Sequence, residues 1–464
     1  MEMTAEKLVN LERDSSLPDG WNWVRLGDVA KYINGRAFKP SDWEGAGLPI
    51  IRIQNLTNPK AEFHNYTGLT EEKYYVKNGD LLISWSATLD VFIWVGCDAI
   101  LNQHIFRVEP NKELITKEYL FYAVKTFLNK LKDQVHGTGM QHITRGPFED
   151  TKIPLPSLGQ QKIIVSKLNS FFSQIRTARA AFERIPALLK IFRQSVLAAA
   201  FRGELTELDP NDEPTEVLLE RIRAERRRKW EESLRVKDKN PANYTYEEPT
   251  APDKSKLPEL TEGWVWTNLQ TLADVRSGVT KGRDLSRFET IEVPYLRVAN
   301  VQAGFLDLRE VKQIPIKKEE LENYRVQKND VLYTEGGDRD KLGRGTVWKG
   351  EIDPCIHQNH IFCARLYLSD VSPEWVSLTG QLDYARDYVN SVASQSVNLA
   401  SINSTNLKAM PIPLPPTQEQ RRIVEKILLL YSQMNDIVIA IQNASRRLDA
   451  LEQGALAKAF RGEL

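Results

Sequence analysis

Two stretches of the chain place apolar residues at alternating steps of three and four. The first runs Ile164, Leu168, Phe171, Ile175, Ala178, Phe182, Ile185, Leu189, Phe192 and Val196. The second runs Ile423, Ile427, Leu430, Met434, Ile437, Ile441, Ala444, Leu448, Leu451 and Ala455. A seam kept over so many turns predicts a long helix lying against another helix. Each could be a core helix of an ordinary globular domain, but two seams of equal length favour an antiparallel pair formed between them. At 1.5 Å per residue, some 40 residues reach about 60 Å, a spacer between two globular units. Gly203 and Gly462 stand where a helix C-cap belongs, and Pro186 is expected to kink the first helix or start a fresh turn.

Upstream of each seam the period changes to that of strands. "LPIIRIQNL", "DLLISWSA" and "HIFRVE" in the first half have counterparts in "VPYLRVANV", "DVLYTEGG" and "HIFCARLYL" in the second. Amphipathic helices follow in "KEYLFYAVKTFLNKL" and "PEWVSLTGQLDYARDYV". The predicted class is mixed α/β (α+β). Between the halves, an Arg-rich helix should begin near Pro214–Thr215 and give way to a Pro- and charge-rich linker. Its basic face suits DNA phosphate, a partner or solvent equally.

The correspondence of the halves is a tandem duplication. "AFRGEL" occurs at 200–205 and again at 459–464. At one constant offset Gln194 pairs with Gln453, Gln161 with Gln420, Pro156 with Pro415 and Pro154 with Pro413. Upstream the likeness persists with a drifting offset: "LNQHIF" matches "QNHIF", "PIIRIQN" matches "PYLRVAN", and "GWNW" matches "GWVW". The front of each repeat tolerates insertions. The back does not, as expected if an insertion would slip one helix along the other.

Polar and aromatic residues gather at the predicted strand ends, where they could reach base edges. In the first repeat these are Arg52, Gln54, Asn55, Ser84, Trp85, Ser86, Gln103 and His104. In the second they are Arg297, Asn300, Gln302, Arg339, Arg344, Gln358, Asn359 and His360. Arginine suits guanine, and asparagine or glutamine suits adenine, because each offers paired hydrogen-bonding groups at the right span. "HGTGMQHITRG" and "ASQSVNLASIN" occupy equivalent places and add Thr138, Gln141, His142, Ser396 and Asn398; their small residues would admit a phosphate close to backbone. Each of these residue types at a strand end is also common as a purely structural feature. His104 and His360, at matched positions, read as shared scaffold; differences between the copies would set different specificities.

With 464 residues the chain can form two or three domains, each burying its own core. Hydrophobic residues at 41% and charged ones at 27% describe a globular protein rather than a disordered one. No apolar run approaches the roughly 18–20 residues of a membrane helix. The acidic start "MEMTAEKLVNLERDSS" does not read as a secretory signal. Three cysteines without metal-ligand spacing suit a reducing cytoplasm. A net charge of zero argues against a wholly electrostatic nucleic-acid binder and leaves room for local basic faces.

The ordering of a variable α/β unit, a Pro-x-Pro lead-in and a long helix ending in "AFRGEL", all repeated once, resembles the specificity (S) subunit of type I restriction-modification systems. "IPLPSLGQQKIIVSKL", "FERIPALLKIFRQSVLAAAFRGEL", "LLERIRAERRRKW" and "IPLPPTQEQRRIVEKI" carry the likeness, which covers nearly the whole chain. The resemblance implies two pseudo-symmetric target recognition domains, at 19–157 and 257–416, separated by two long antiparallel helices at 158–207 and 417–464. An N-terminal tail (1–18) and a charged helix with linker (208–256) complete the division. Ile164, Leu168, Ile175, Phe182, Leu189, Ile423, Ile427, Met434, Ile441 and Leu448 would form the core of the helix pair. It further implies binding to a bipartite, asymmetric site on double-stranded DNA, with half-sites about one helical turn (about 34 Å) apart. Two modification (M) methyltransferase subunits and restriction (R) subunits would act there, in host defence, on adenine methylation and cleavage. S-adenosylmethionine, ATP and Mg would sit on those partners.

Missing motifs agree with a non-catalytic role. The chain has no Asn/Asp-Pro-Pro-Tyr/Phe methylase signature, no phosphate-binding G-x-x-x-x-G-K-[ST] loop, no HExxH and no CxxC. Three other readings stay open at this point: the recognition partner of a fused methylase-nuclease, a coiled-coil scaffold carrying two protein-binding modules, and an enzyme whose site carries none of these motifs.

Overall fold

The computed structural model describes residues 17–58, 60–86, 88–134, 145–337, 342–395 and 400–464. It divides into two compact units, Met1–Arg184 with Ile439–Leu464, and Ile185–Val438.

In the first unit a four-stranded sheet runs in the order Ala30–Asn34, Ile105–Pro110, Leu81–Ser84, Asp90–Ile93. A second has the order His64–Tyr66, Leu48–Ile51, Ala99–Leu101, Tyr75–Val76, with a parallel pairing between Leu48–Ile51 and Ala99–Leu101. Strand Leu81–Ser84 is buried on both faces, and its alternation explains why. Leu81 and Ile83 join the core under helix Lys117–Gln134, whereas Leu82 joins Ile51, Val76 and Leu101 of the second sheet.

The second unit repeats this plan. Ala273–Ser277, Ile361–Leu366, Val331–Thr334 and Gly345–Val347 form the four-stranded sheet in that order. Lys312–Lys317, Thr290–Leu296 and Ile356–His357 form the other, again with its inner pairing parallel. Val331 and Tyr333 point into one core and Leu332 into the other. The Arg-rich helix, Thr215–Arg235, packs Leu218, Leu219 and Ile222 into the first of these cores.

A two-stranded sheet closes each unit onto its long helix: Asn22–Arg25 pairs with Lys152–Leu155, and Val265–Asn268 with Pro411–Leu414. Trp23 faces Pro154 and Trp266 faces Pro413, so the "GW-x-W" and Pro-x-Pro matches are two sides of one ladder. Proline is tolerated there because a two-stranded sheet leaves every strand an open edge.

The long helices are Leu158–Phe201 and Thr417–Ala459. In the first unit Leu168, Phe172 and Ile175 share a core with Leu456, Ala459 and Phe460, and Arg179 donates to Asp449 (2.7 Å) and Glu452 (3.0 Å). In the second, Val196, Leu197 and Ala200 pack with Ile423, Val424 and Ile427, and the Arg193 guanidinium lies 4.4 Å from the Tyr431 ring centroid. The beginning of one helix meets the end of the other both times, so the pairing is antiparallel. Both helices finish in the predicted caps. Gly203 (φ +69°) and Gly462 (φ +75°) are left-handed, with Glu204 and Glu463 donating back to Ala199 and Lys458. A Cβ on Gly203 would stand 2.6 Å from Thr261, and one on Gly462 would stand 2.3 Å from Pro18.

Several expectations need correction. Ile164, Leu168, Ile175, Ile423 and Ile427 are buried, while Phe182, Leu189, Met434, Ile441 and Leu448 are half-buried. Phe192, Ile437 and Leu451 lie off the seam, at 47%, 45% and 52% exposure. A straight helix drifts about 20° per heptad from a strict seven-residue repeat. Near the helix ends the globular modules offer a second surface, which buries Val165, Phe172, Leu197, Val424 and Leu456 instead. Helix Leu158–Phe201 continues through Pro186, which is exposed, so water can reach the carbonyl that the ring leaves unbonded. "LPIIRIQNL" is a strand only at Leu48–Ile51; Ile53–Thr57 is helical. "PEWVSLTGQLDYARDYV" forms two helices, Pro373–Thr379 and Asp383–Val392.

Candidate nucleic-acid interface

The strand ends of the two units are built by the same backbone bonds. The Trp85 N–H donates to His104 O at 3.3 Å, and the Glu335 N–H donates to His360 O at 2.9 Å. Asn102 donates to Ile51 O and Arg36 to Leu101 O; Gln358 donates to Leu296 O and Val279 to His357 O. Gly35 and Gly278 allow this convergence. A Cβ would come within 2.1 Å of Asn102 O at the first and 2.0 Å of His357 O at the second. The scaffold that presents each strand end is therefore shared, and the side chains on it differ.

These side chains sort into scaffold and surface. Asn300 is 2% exposed; it accepts from the Arg297 N–H (2.8 Å) and donates to Asp307 O and Glu310 O. Asn55 does the same with Arg52, Ala61 and Glu62. Both amides hold a loop, which corrects their expected role at bases. Ser84 is fully buried on Thr88 O and Asp90, and Ser86 is 5% exposed, so neither hydroxyl faces a ligand. Arg297 is tied to Glu310 by its O (3.2 Å) and its carboxylate (3.4 Å).

The remainder lie at the surface. Gln54 is exposed, and Gln103, Gln358 and Asn359 are half-buried. Gln103 Nε2 is 3.1 Å from His104 Nε2. Arg344 donates to Gln302 Oε1 at 2.8 Å. Arg52 lies over the Trp43 ring at 5.2 Å, and Trp43 in turn stacks on His64 at 4.0 Å. Thr138, Gln141, His142, Arg339, Ser396 and Asn398 lie outside the described residues. The second equivalent segment is represented by Ser394–Gln395 and Ala400–Ser401, paired to each other, with Ala400–Ser401 also paired to Gly336–Gly337 and the Ile402 N–H donating to Glu335 O.

Sequence reasoning passed over Trp43, His64 and Glu335. Nothing in spacing marks the first two. Glu335 was within reach, because the match of "DLLISWSA" with "DVLYTEGG" sets it opposite Trp85.

The helix pair carries a second kind of surface. In the first unit Phe171, Leu451 and Ala455 floor an apolar groove of about 870 Å³, rimmed by Lys167, Arg447 and Lys458. In the second unit Leu188 (60% exposed), Ile191 (59%), Phe192 and Leu429 (54%) stand in solvent. Leu451 and Phe192 occupy the same register of the repeat, as do Ala450 and Ile191. A contiguous apolar groove such as the one in the first unit marks an interaction face.

The family model described as "Type I restriction modification DNA specificity domain" matches residues 18–185 and again 261–444. The chain belongs to this specificity family. The type I restriction enzyme EcoBI specificity subunit of Escherichia coli is 29% identical, covering 99% of this chain and 90% of its own length. The EcoKI specificity subunit of Escherichia coli K12 is 26% identical, with 97% and 90% covered. Among solved structures, the HsdS subunit from Thermoanaerobacter tengcongensis superposes with a TM-score of 0.57 at 20% identity, covering 98% of this chain and 100% of its own. A chain from a structure concerned with complex assembly and conformational transition of the type I R-M system reaches 0.64 at 19% identity, with 97% and 100% covered. Both share the fold. As a type I specificity subunit, this protein recognises DNA sequence. Among the described residues no helix is long and apolar enough to cross a membrane.

Proposed function

We propose that this specificity subunit reads a bipartite, asymmetric site on double-stranded DNA, one half per module, and catalyses nothing itself. Two modification (M) subunits would supply adenine methylation with S-adenosylmethionine, and restriction (R) subunits would supply ATP- and Mg-dependent cleavage. The work would take place in the cytoplasm. The observation that carries this reading is the repeated strand-end scaffold with unlike side chains upon it. Identical frames bearing Trp85 in one copy and Glu335 in the other suit two half-sites of different sequence. The residues 19–157 and 257–416 would be the readers, and the helices at 158–207 and 417–464 would set their spacing. Exposed apolar residues on both halves of the helix pair, with Phe192 and Leu451 in equivalent register, support two copies of one partner.

The test is co-expression with the modification subunit, followed by sequencing that detects methyladenine. A two-part motif that vanishes when this chain is omitted is expected. Methylation independent of the chain, or at a continuous motif, would refute the proposal.

A further inference from the structure

We infer that the residue directly after the central strand, Trp85 in the first module and Glu335 in the second, is a specificity position that makes the two half-sites differ. This rests on the DNA-reading role above and names the side chains that perform it.

Each residue is fixed by the same bond to the carbonyl of a matched histidine, so backbone geometry cannot distinguish the copies. The side chains do. Glu335 accepts from the His360 Nδ1–H at 2.5 Å, and both groups remain partly open to solvent, at 28% and 53% exposure. Trp85 instead sets its ring edge-on to His104, with centroids 5.2 Å apart. The same ring nitrogen, His104 Nδ1, is then buried with no hydrogen-bond partner. One side of the indole packs on the core beside Phe106, with centroids 5.9 Å apart, and the ring remains partly open to solvent.

The chemistry separates the bases each would accept. A carboxylate takes a hydrogen bond from an exocyclic amine, cytosine N4 or adenine N6, and is repelled by guanine O6/N7 and thymine O4. It is likewise repelled by phosphate, so Glu335 is suited to a base edge and not to the backbone. The carboxylate is partly exposed and so open to that bond. The Trp85 Nε1–H is already given to Asn34 Oδ1 at 3.1 Å. The indole thus offers hydrocarbon, the surface that matches a thymine methyl. The second module should require an amino-bearing base at one position, and the first an apolar contact.

The experiment maps methylated motifs in cells expressing the modification subunit with wild-type chain, Glu335→Gln or Trp85→Glu. Glu335→Gln keeps the size of the side chain and an acceptor for His360 but removes the charge. Discrimination at one position of the second half-site should fall roughly tenfold or more, with the first half-site unchanged. Trp85→Glu should move one position of the first half-site toward an amino-bearing base, and leave the second alone. Unaltered motifs in both variants, or a change in the opposite half-site, would overturn the inference. A wild-type chain yielding no bipartite motif would instead refute the functional reading beneath it.

Discussion

Gln161 accepts the backbone N–H of Thr116 at 2.8 Å, although 45 residues separate them and the glutamine has no solvent exposure. Its amide nitrogen donates to Leu114 O and Pro156 O. Gln420 repeats the arrangement, accepting from Ser372 and donating to Pro415 O. Beside it, Tyr119 donates to Pro154 O at 2.7 Å in one unit and Trp375 to Pro413 O at 2.8 Å in the other. Each module is thus fastened to the start of a long helix by a fully satisfied buried amide. This gives the Pro-x-Pro-to-Gln spacing a physical purpose.

Replacing Gln161 with alanine should cost about 2–4 kcal/mol, because it strands the Thr116 N–H and the Leu114 carbonyl away from water. Gln161→Glu should cost at least as much, since a carboxylate has no N–H for Leu114 O and must be buried. Urea unfolding of both variants checks this. A loss below about 1 kcal/mol for both would show that the clamp is dispensable.

The helix pair makes a sharper comparison. Ile427 is fully buried and Ile437 is 45% exposed, though both fall on one heptad pattern. Ile427→Ala should destabilise by about 2–5 kcal/mol through cavity formation, and Ile437→Ala by under about 1 kcal/mol. Equal losses in thermal or chemical unfolding would contradict the packing described.

Exposed apolar residues on the second unit's helices should matter to assembly rather than folding. Leu188→Asp with Leu429→Asp should leave the unfolding midpoint within a few degrees of wild type. The same pair of changes should remove one modification subunit from the assembled complex, as read by native mass spectrometry. Retention of both copies would argue against this face as a docking surface.

Glu419 provides a pH-dependent test. It is buried, with the Trp264 Nε1–H on one oxygen (3.0 Å) and no partner on the other. Desolvation raises its pKa above the usual 4.5, against the opposing pull of Trp264 and Arg422. A raised folded-state pKa means that stability is lost as pH climbs through it, and that none is lost below the unfolded value. Glu419→Gln should therefore gain on wild type as pH rises from 4 to 7. A gap between their melting temperatures that is constant across this range would be the contrary result.

Much of the architecture was legible because it was written twice. The Gln161–Gln420 and Pro154–Pro413 matches fall at a constant offset since the clamp and the ladder tolerate no slip. The mixed strands and the caps at Gly203 and Gly462 followed from period and from backbone need. The site was less legible. Asn55 and Asn300 look like base readers in sequence, and only the loop closing over them shows that their amides are spent on backbone. Ser84 sits at a strand end yet turns inward, because the next residues curl back onto its hydroxyl. The exposed Phe192 and Leu451 read as core because a heptad template assumes a partner helix alone, and takes no account of a module packed beside it. Glu335 differs from Trp85 in charge, size and shape, so matching by residue type passes over it even though the two share one backbone position.

The most direct measurement of the central claim is a module exchange. Residues 19–157 are replaced by the corresponding unit of another family member, and the methylated motif is mapped with the modification subunit present. The account predicts that one half-site takes the donor's sequence while the other half-site stays as it was. A motif changed in both halves, or in neither, would contradict it.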